Sequence, residues 1–358
     1  MKRLLAVSVL LLVAMPVLAE AQRNDRAATV MSRNLYFGAD LAPVIGVASV
    51  PALIAAATQV YGVVRASDIP GRAESLAAEI AAAGPDLVGV QEAVIWRTQF
   101  PPDFAPVPNA TRVDFDFLQS LLDGLAARGA PYTVVATHIT NDIEVPILLP
   151  NGVCCAEVRF TDREVILART ARKANDPMVL TNVQDGTFAA QLPIPLPGGA
   201  LYIQRRGWLS VDVELRGAHF RFVTTHLEPE AFAAVQEAQG LELLAGPANT
   251  SMPVVLVCDC NSRADFTGTD TYAALLGGGF TDAWSARWPR AAGATCCQAE
   301  DLRNPVSLLD QRIDLVLVRG RAHVRAAEVT GASPDSLTDD GLWPSDHAGV
   351  VATIQFKP

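Results

Sequence analysis

The sequence predicts an α/β fold with two β-sheets in the middle and helices on the outside. Strand-like and helix-like segments alternate along the chain, and no interior linker, charge run or repeat interrupts them. Half of the 358 residues are apolar and 18% are charged, so the chain can bury a large core. These observations favour a single domain, which we place at residues 27–358.

The first 21 residues have the pattern of a secretory signal peptide. Residues 1–3 are basic, residues 4–15 are apolar, and residues 19–21 fit a small-residue cleavage site. The apolar run is too short to span a bilayer comfortably, although an uncleaved anchor is the alternative. We expect a mature protein that starts near Gln22, has no transmembrane segment and is exported to the periplasm or the exterior.

The first half of the chain contains strands and helices marked by apolar spacing and by Gly/Pro stops. The predicted strands are 27–34, 86–92, 132–139 and 164–170. The predicted helices are 72–84 and 113–129, each followed by glycine and proline. Residues 38–70 are rich in alanine and valine and are not assigned, and residues 192–199 are interpreted as a loop.

The second half repeats this organisation. Residues 207–227 read as two strands joined by a turn at Arg216 and Gly217. Residues 230–246 are predicted to be helical, and strands are predicted at 253–259, 312–318 and 348–356.

Charge and cysteines limit the function classes. The net charge of −10 gives no support to a general affinity for nucleic acid or anionic membranes.

Six cysteines in an exported chain indicate disulfides, and we expect one bridge from Cys258 or Cys260 to the loop of Cys296 and Cys297. A zinc site and buried free thiols are the alternatives, but adjacent cysteines lack the spacing of zinc knuckles.

Polar residues of catalytic type lie at the ends of the predicted strands. Their side chains are metal ligands, proton carriers or oxyanion donors: Asn34, Gln91, Glu92, His226, Asp259, Asn261, Asp314, Asp346 and His347. A single member could be a solvated acid, a turn residue or a core histidine. The whole set has the composition of a metal-assisted phosphoester hydrolase.

Glu92 is the best candidate metal ligand, and Asn34 on the neighbouring strand end can share the ion. Oxygen donors suit Mg²⁺, with Mn²⁺ or Ca²⁺ as further possibilities, because Mg²⁺ takes only one or two protein carboxylates and keeps several waters. Asp346 is expected to bind a second ion or to hold His226 through a hydrogen bond.

His347 is the candidate general base, and the Asp314 carboxylate would orient and charge-stabilise its imidazole. Asp259 and Asn261, two apart in an extended segment, would point the same way. One would align the attacking water and the other would hold a phosphate oxygen. His226 would donate a hydrogen bond to the phosphate or protonate the leaving group, and Arg206 is a candidate phosphate clamp.

These motifs, in this order, resemble the endonuclease/exonuclease/phosphatase superfamily, which has the DNase I-like fold. The resemblance covers nearly the whole mature chain and implies a four-layer α/β/β/α sandwich of two packed mixed sheets, magnesium dependence and phosphoester cleavage. The segments "RNLYFGADL" and "TDREVILAR" also resemble a branch of secreted bacterial members.

The chain departs from the pattern of this superfamily at several positions. Cys258 and Cys260 flank Asp259 where a glycine and a bulky apolar residue are usual. Tyr36 and His226 replace the acid and the tyrosine of abasic-site repair enzymes, which disfavours that activity.

The substrate remains open among phosphoesters. A phosphodiesterase acting on nucleic acid or nucleotides is favoured. A sphingomyelinase or phospholipase C-type activity, with residues 142–160 as an apolar lip or merely a covered hairpin edge, and a phosphomonoesterase are the alternatives. A secreted, non-catalytic binding module is the alternative of another class. No stable protein partner is implied.

Overall fold

The computed structural model describes residues 26–149, 151–172 and 176–358. The predicted signal peptide at residues 1–21 lies outside the described residues, and the single domain at 27–358 stays a prediction. No helix in these three ranges has the length and apolar character needed to cross a membrane.

Six α-helices and sixteen strands are found in the described part of the chain. The helices are α1 Val50–Ala66, α2 Ile69–Ala83, α3 Phe117–Ala127, α4 Ala233–Ala245, α5 Thr271–Gly277 and α6 Ala283–Arg287. The strands of the first half are β1 Ala27–Asn34, β2 Leu87–Gln91, β3 Ile95–Gln99, β4 Arg112–Asp116, β5 Tyr132–Leu148, β6 Cys154–Arg169 and β7 Met178–Thr187. Those of the second half are β8 Leu192–Pro195, β9 Leu201–Gln204, β10 Gly207–Leu215, β11 Ala218–His226, β12 Val254–Asp259, β13 Thr281–Asp282, β14 Asp314–Arg319, β15 Ala322–Thr330 and β16 Gly349–Phe356.

Two large mixed sheets form the centre of the molecule. The first has the order β15-β16-β1-β2-β6-β3-β4, with β5 also paired to β6. The second has the order β13-β14-β12-β11-β10-β7, and β8 and β9 form a separate hairpin. Strands β1 and β2 pair in parallel, as do β11 and β12, while their other neighbours are antiparallel.

The sheets pack face to face, and helices cover their outer faces. Apolar side chains of β1, β2, β10, β11, β12 and β16 form one buried cluster between the sheets. A second cluster joins the first sheet to α1, α2 and α3, and a third joins the second sheet to α4 and α5. The predicted four-layer α/β/β/α sandwich is therefore confirmed.

The alternation of side chains along each strand positions the candidate site. Ala28 and Val30 of β1 face the second sheet, so Asn34, an even number of residues further on, faces the same way. In β12, Val255 and Val257 face the first sheet, and Asp259 continues that row. Polar side chains therefore end the rows of apolar residues that pack between the sheets.

Gly89 of β2 allows the two sheets to approach closely beside this edge. A Cβ atom at Gly89 would lie 2.3 Å from Cγ2 of Val257 and 2.4 Å from Oγ1 of Thr224. Any side chain at this position would separate the sheets and move the strand ends apart.

Three predicted segments differ from the structure. Residues 113–129 are not one helix, because the chain is extended through β4 and Asp116 then caps α3 by accepting from the backbone N of Gln119. The unassigned residues 38–70 contain α1, which starts after the N-cap Ser49. The expected loop at 192–199 begins with β8, which pairs with β9.

The cysteines pair locally, so the expected bridge from Cys258 or Cys260 to the loop of Cys296 and Cys297 is wrong. The structure pairs each cysteine with a near neighbour: Cys154 with Cys155, Cys258 with Cys260, and Cys296 with Cys297. Side-chain alternation explains the central pair, because Cys258 and Cys260 lie on the same side of the chain and both pack toward α4 and α5.

Candidate active site

Strand register brings most of the predicted site residues into one row. His226 at the end of β11 pairs with Asp259 at the end of β12, and Asp259 pairs with Asp314 at the start of β14. Across the interface between the sheets, Asn34 at the end of β1 lies beside Gln91 at the end of β2. The site is therefore formed where the edges of both sheets meet.

Asn34 joins the two acids that come from opposite sheets. Its Nδ2 donates to Oε1 of Glu92 at 3.0 Å and to Oδ2 of Asp259 at 2.9 Å. The second Glu92 oxygen accepts from the backbone N of Phe37 at 2.9 Å. Glu92 has φ +59°, a conformation that is uncommon for residues other than glycine and is often found at functional sites.

His347 is oriented by Asp314, as the sequence analysis expects. Nδ1 of His347 lies 2.8 Å from Oδ2 of Asp314, which leaves Nε2 directed into the site. Nε2 is 3.7 Å from Oδ2 of Asp259 and 3.9 Å from Oδ1 of Asp346. Burial alone would lower the pKa of His347, but the carboxylates of Asp314, Asp346 and Asp259 outweigh burial and raise it well above its usual value.

His226 occupies the other side of Asp259. Its Nε2 lies 3.3 Å from Oδ2 of Asp259 and 3.1 Å from Nδ2 of Asn261, while Nδ1 faces Oε1 of Glu164 at 3.8 Å. Burial and the nearby charge of Arg206 lower the pKa of His226 well below its usual value. A neutral ring with its proton on Nδ1 fits these contacts, because the Asn261 amide also donates to the Leu227 carbonyl at 2.9 Å.

Two buried arginines hold the loops that carry the site residues. Arg33 of β1 donates to the His347 carbonyl and forms an ion pair with Glu79 of α2 at 3.0 Å. Arg72 of α2 donates from Nε to the Pro344 carbonyl at 3.0 Å. These contacts fix the backbone on both sides of Asp346 and His347 against the first sheet.

Sequence reasoning missed three buried acids next to the site: Asp162, Glu164 and Glu228. Both carboxylate oxygens of Glu164 are buried without a hydrogen-bond partner among the described residues, and burial raises its pKa well above the usual value. A signal was present in the sequence, since Glu164 stands directly before the apolar run "VIL" of β6. A carboxylate in a buried strand needs a partner that offsets its charge.

Arg206 has a different environment from the one expected of a phosphate clamp. It is buried, and its Nε lies 3.6 Å from Oε2 of Glu228. Burial opposes its charge, but Glu228, Asp162 and Glu164 hold its pKa above the usual value. Acids of the protein already offset most of the charge that a phosphate would use.

Two further expectations about geometry are corrected. Asn261 does not continue an extended segment, because β12 ends at Asp259 and Asn261 has φ +48°. Asp346 approaches His347, and no hydrogen bond or ion pair joins it to His226 in the described ranges. Before His226 can donate from Nε2 to a phosphate, that nitrogen must take up a proton and the Asn261 amide must release it.

The charge balance of the site fits a divalent cation. Burial, followed by the charge of Asp346, raises the pKa of Glu92 to about 8, and burial raises the pKa of Asp314 to about 6. Ligand atoms of Glu92, His226 and Asp259 lie within 4.8 Å of one another. Clustered oxygen donors with excess negative charge are the environment that Mg²⁺ and related hard cations favour.

Comparisons with known proteins agree with the fold. The chain is similar to an endonuclease/exonuclease/phosphatase of Beutenbergia cavernae, with 23% identity over 92% of this chain and 72% of the other and a TM-score of 0.53. It is similar to a humanized D. rerio TDP2, with 15% identity over 92% and 99% of the two chains and a TM-score of 0.55. It is also similar to the mannosyl-6-phosphatase Bt3783 of Bacteroides thetaiotaomicron, with 18% identity over 92% and 100% and a TM-score of 0.51.

Among curated proteins, no significant match was found. The model of the Endonuclease/Exonuclease/phosphatase family matches residues 59–347, which include Glu92, His226, Asp259, Asp314 and His347. Because this match covers most of the chain, and the two sheets bring those residues together, the protein belongs to the Endonuclease/Exonuclease/phosphatase family.

Proposed function

We propose that this protein is an exported, divalent-metal-dependent phosphodiesterase. Family membership supports phosphoester hydrolysis as the reaction class. The observation that carries the finer proposal is the position of Asp259 between the two parts of the site. Oδ2 of Asp259 is 2.9 Å from the Asn34 amide that bonds Glu92, and 3.7 Å from Nε2 of His347.

Mg²⁺ is the proposed cofactor, with Mn²⁺ or Ca²⁺ as substitutes. Glu92 and Asp259 would hold it, Asn34 would contribute after rotation of its amide, and Asp346 would bind it directly or through water. A cation bound there supplies positive charge for the phosphate oxygens and offsets the carboxylates that hold the pKa of His347 high.

In the proposed reaction His347 takes a proton from the attacking water at Nε2. Asp314 holds the imidazole through Nδ1 and stabilises the cation that forms, as its 2.8 Å contact allows. His226 hydrogen-bonds the phosphate or the leaving oxygen from Nε2, after that nitrogen has taken up a proton and the Asn261 amide that donates to it has turned away. Arg206 acts mainly by balancing Glu164 and Glu228 behind His226.

The first test is hydrolysis of bis-p-nitrophenyl phosphate and p-nitrophenyl phosphate by the mature protein. Mg²⁺, Mn²⁺ and Ca²⁺ are compared with EDTA, and wild type is compared with His347→Ala. Metal-dependent diester cleavage that is lost in the variant supports the proposal. Cleavage of the monoester alone would favour a phosphatase, the activity named for the B. thetaiotaomicron structure.

Inactivity on both esters with every metal would contradict the proposal, and a phosphoester-binding module would then be the better interpretation. For a nucleic acid substrate, added salt should weaken binding steeply, because a polymer contacts several phosphates at once. The buried and paired states of Arg33, Arg72 and Arg206 do not favour such a polymer. Export is tested separately, by finding a mature N-terminus near Gln22 by mass spectrometry of the secreted protein.

A further inference from the structure

A cavity of about 510 Å³ lies beside the candidate site. Its wall is built from α1, β5, β6, the β8–β9 hairpin and the segment after β1. The side chains that line it are mostly apolar and include Phe37, Trp96, Val145, Phe160, Ile194 and Leu201. Cavities of this volume with mostly apolar walls are typical of small-ligand sites.

Packing holds the aromatic part of the wall in place. The Phe160 ring contacts the Phe37 ring edge to face, with centroids 5.0 Å apart, and the Trp96 ring at the same separation. Nε1 of Trp96 donates to the Phe37 carbonyl at 3.0 Å. The cavity is therefore bounded by side chains that are fixed without a ligand.

Phe37 connects the cavity directly to the metal-binding acid. Its ring lines the cavity, while its backbone N donates to Oε2 of Glu92 at 2.9 Å. The cavity and the proposed phosphate position at Glu92 are therefore adjacent through a single residue, Phe37.

The cavity wall contains buried polar atoms without a hydrogen-bond partner among the described residues. Asp162 is fully buried and Arg206 is 6% exposed, and both line the cavity. Oδ1 of Asp162 and both Nε and Nη1 of Arg206 have no hydrogen-bond partner among the described residues. Buried groups of this kind usually have partners, so these atoms are available to a polar group of a ligand.

The cavity wall also includes apolar residues that are exposed at the surface. Leu201 of β9 and Ile45, which precedes α1, line the cavity and are 61% and 40% exposed. Buried polar atoms, apolar walls and exposed apolar residues in one cavity match the chemistry of an amphiphile with an extended chain.

We propose that the cavity binds the alkyl chain of an amphiphilic phosphodiester whose phosphate lies at Glu92 and His347. This inference rests on the proposed function and narrows its substrate class. Residues 142–160, considered from the sequence as an apolar lip, contribute Val145, Val158 and Phe160 to the wall.

The direct test is a series of p-nitrophenyl alkyl phosphates with methyl, butyl and octyl chains, hydrolysed by the mature protein with Mg²⁺. The leaving group is constant, so only the chain changes. Burying each methylene contributes about 0.8 kcal/mol, so kcat/KM should rise roughly three- to fourfold per buried methylene until the cavity is filled. Equal kcat/KM across the series would overturn the inference and leave the proposed function intact.

Binding without turnover provides the second measurement. Octylphosphonate should bind at least about a hundredfold tighter than methylphosphonate in calorimetry, with a negative heat-capacity change. Equal affinities would overturn the inference. If none of the esters is hydrolysed, the proposed function fails, and this binding comparison still decides whether the cavity accepts a chain.

A matched pair of variants tests whether the dependence of kcat/KM on chain length arises in the cavity. Leu201→Asp should lower kcat/KM for the octyl ester about tenfold and leave the methyl ester unchanged, because it places a charge on the exposed part of the cavity wall. Leu241→Asp on α4 is the control, since Leu241 is 58% exposed and lies outside the cavity wall. Equal effects of the two changes would contradict the assignment.

A further experiment distinguishes a bilayer lipid from a soluble amphiphile as the source of the alkyl chain. Vesicles of phosphatidylcholine are compared with the soluble octyl ester under the same conditions. Hydrolysis of both supports a bilayer lipid, and hydrolysis of the octyl ester alone supports a soluble amphiphile.

Discussion

The two histidines of the site lie on opposite sides of Asp259 and have opposite electrostatic environments. His347 contacts Asp314 at 2.8 Å and has two more carboxylates near Nε2, which raise its pKa. His226 also has carboxylates nearby, Asp259 at 3.3 Å and Glu164 at 3.8 Å, but burial and the charge of Arg206 lower its pKa. The comparison shows that strand register places residues, while neighbouring charges decide which ring carries a proton.

The different environments of His347 and His226 suit the two imidazole rings to different roles in the proposed reaction. Once a bound cation offsets the other carboxylates, a ring with a close carboxylate at Nδ1 can accept a proton at Nε2 and stay oriented. A buried neutral ring next to an arginine suits hydrogen bonding to an anion better than carrying charge. Pairs of groups whose environments separate their pKa values commonly mark an acid and a base in an active site.

The largest expected effect is the loss of turnover in His347→Ala. Removing a general base typically lowers kcat by roughly two to four decades, and metal affinity should change much less. His219→Ala is the control, because His219 is exposed and far along β11 from the site. Steady-state kinetics on a diester decides the point, and a loss of less than one decade would assign the base elsewhere.

Arg206→Met should change stability more than substrate affinity. It would leave Glu164, Glu228 and Asp162 buried without their main cation, and breaking a buried ion pair typically costs about 3–5 kcal/mol. Arg205→Met is the matched control at the exposed neighbouring position. Urea unfolding measures the difference. A normal free energy of unfolding with a raised KM would instead restore the phosphate-clamp interpretation.

Periodicity explains how much of the fold could be predicted. Residues 27–34 and 253–259 were assigned as strands because their apolar residues are bounded by polar ends, and both assignments are confirmed. The single helix predicted at 113–129 is wrong because the apolar spacing of β4 runs into that of α3, and only the capping contact of Asp116 separates them. Helix α1 was not assigned because its alanine-rich sequence has little polar contrast, although Ser49 and Pro51 are helix-start signals.

The candidate site could be predicted where its residues end strands. Asn34, His226, Asp259 and Asp314 follow from that rule, and the structure brings them together. Glu164 starts the strand predicted at 164–170, but in the structure it lies inside the 16-residue β6, so its position in the interior of the strand could not be read from the sequence. The apolar cavity depends on the arrangement of α1, β5, β6 and the β8–β9 hairpin, which no local pattern specifies.

Glu92→Gln should weaken metal binding without preventing folding. The variant should lose metal-dependent activity and bind Mg²⁺ roughly a hundredfold more weakly or worse, because it loses a carboxylate ligand. Titration calorimetry measures the affinity, and Glu214→Gln, at an exposed position, is the control. Full activity with unchanged affinity would contradict the assignment of Glu92.

The same variant should be more stable than wild type without metal. The pKa of Glu92 is raised from 4.5 to about 8 by folding, so its ionisation favours the unfolded chain increasingly from the lower value to the higher one. The neutral amide of the variant has no such cost, and the melting temperature of the variant near pH 8 should be higher by on the order of a few degrees. Below about pH 4 the two proteins should differ little.

The smallest expected effect is the difference in protonation between His347 and His226. NMR of the ring nitrogens can measure it in the metal-free protein. At pH 7, His347 should show the shifts of an imidazolium, and His226 those of a neutral ring with its proton on Nδ1. Asp314→Asn removes the closest carboxylate and should lower the pKa of His347 by about one unit or more, without moving His226. Glu164→Gln should leave both charge states as they are, because Glu164 lies 3.8 Å from His226 and that ring is already neutral. Two rings with the same charge at pH 7 would mean that Asp259, which both approach, sets their protonation jointly and that separate acid and base roles do not follow from their environments.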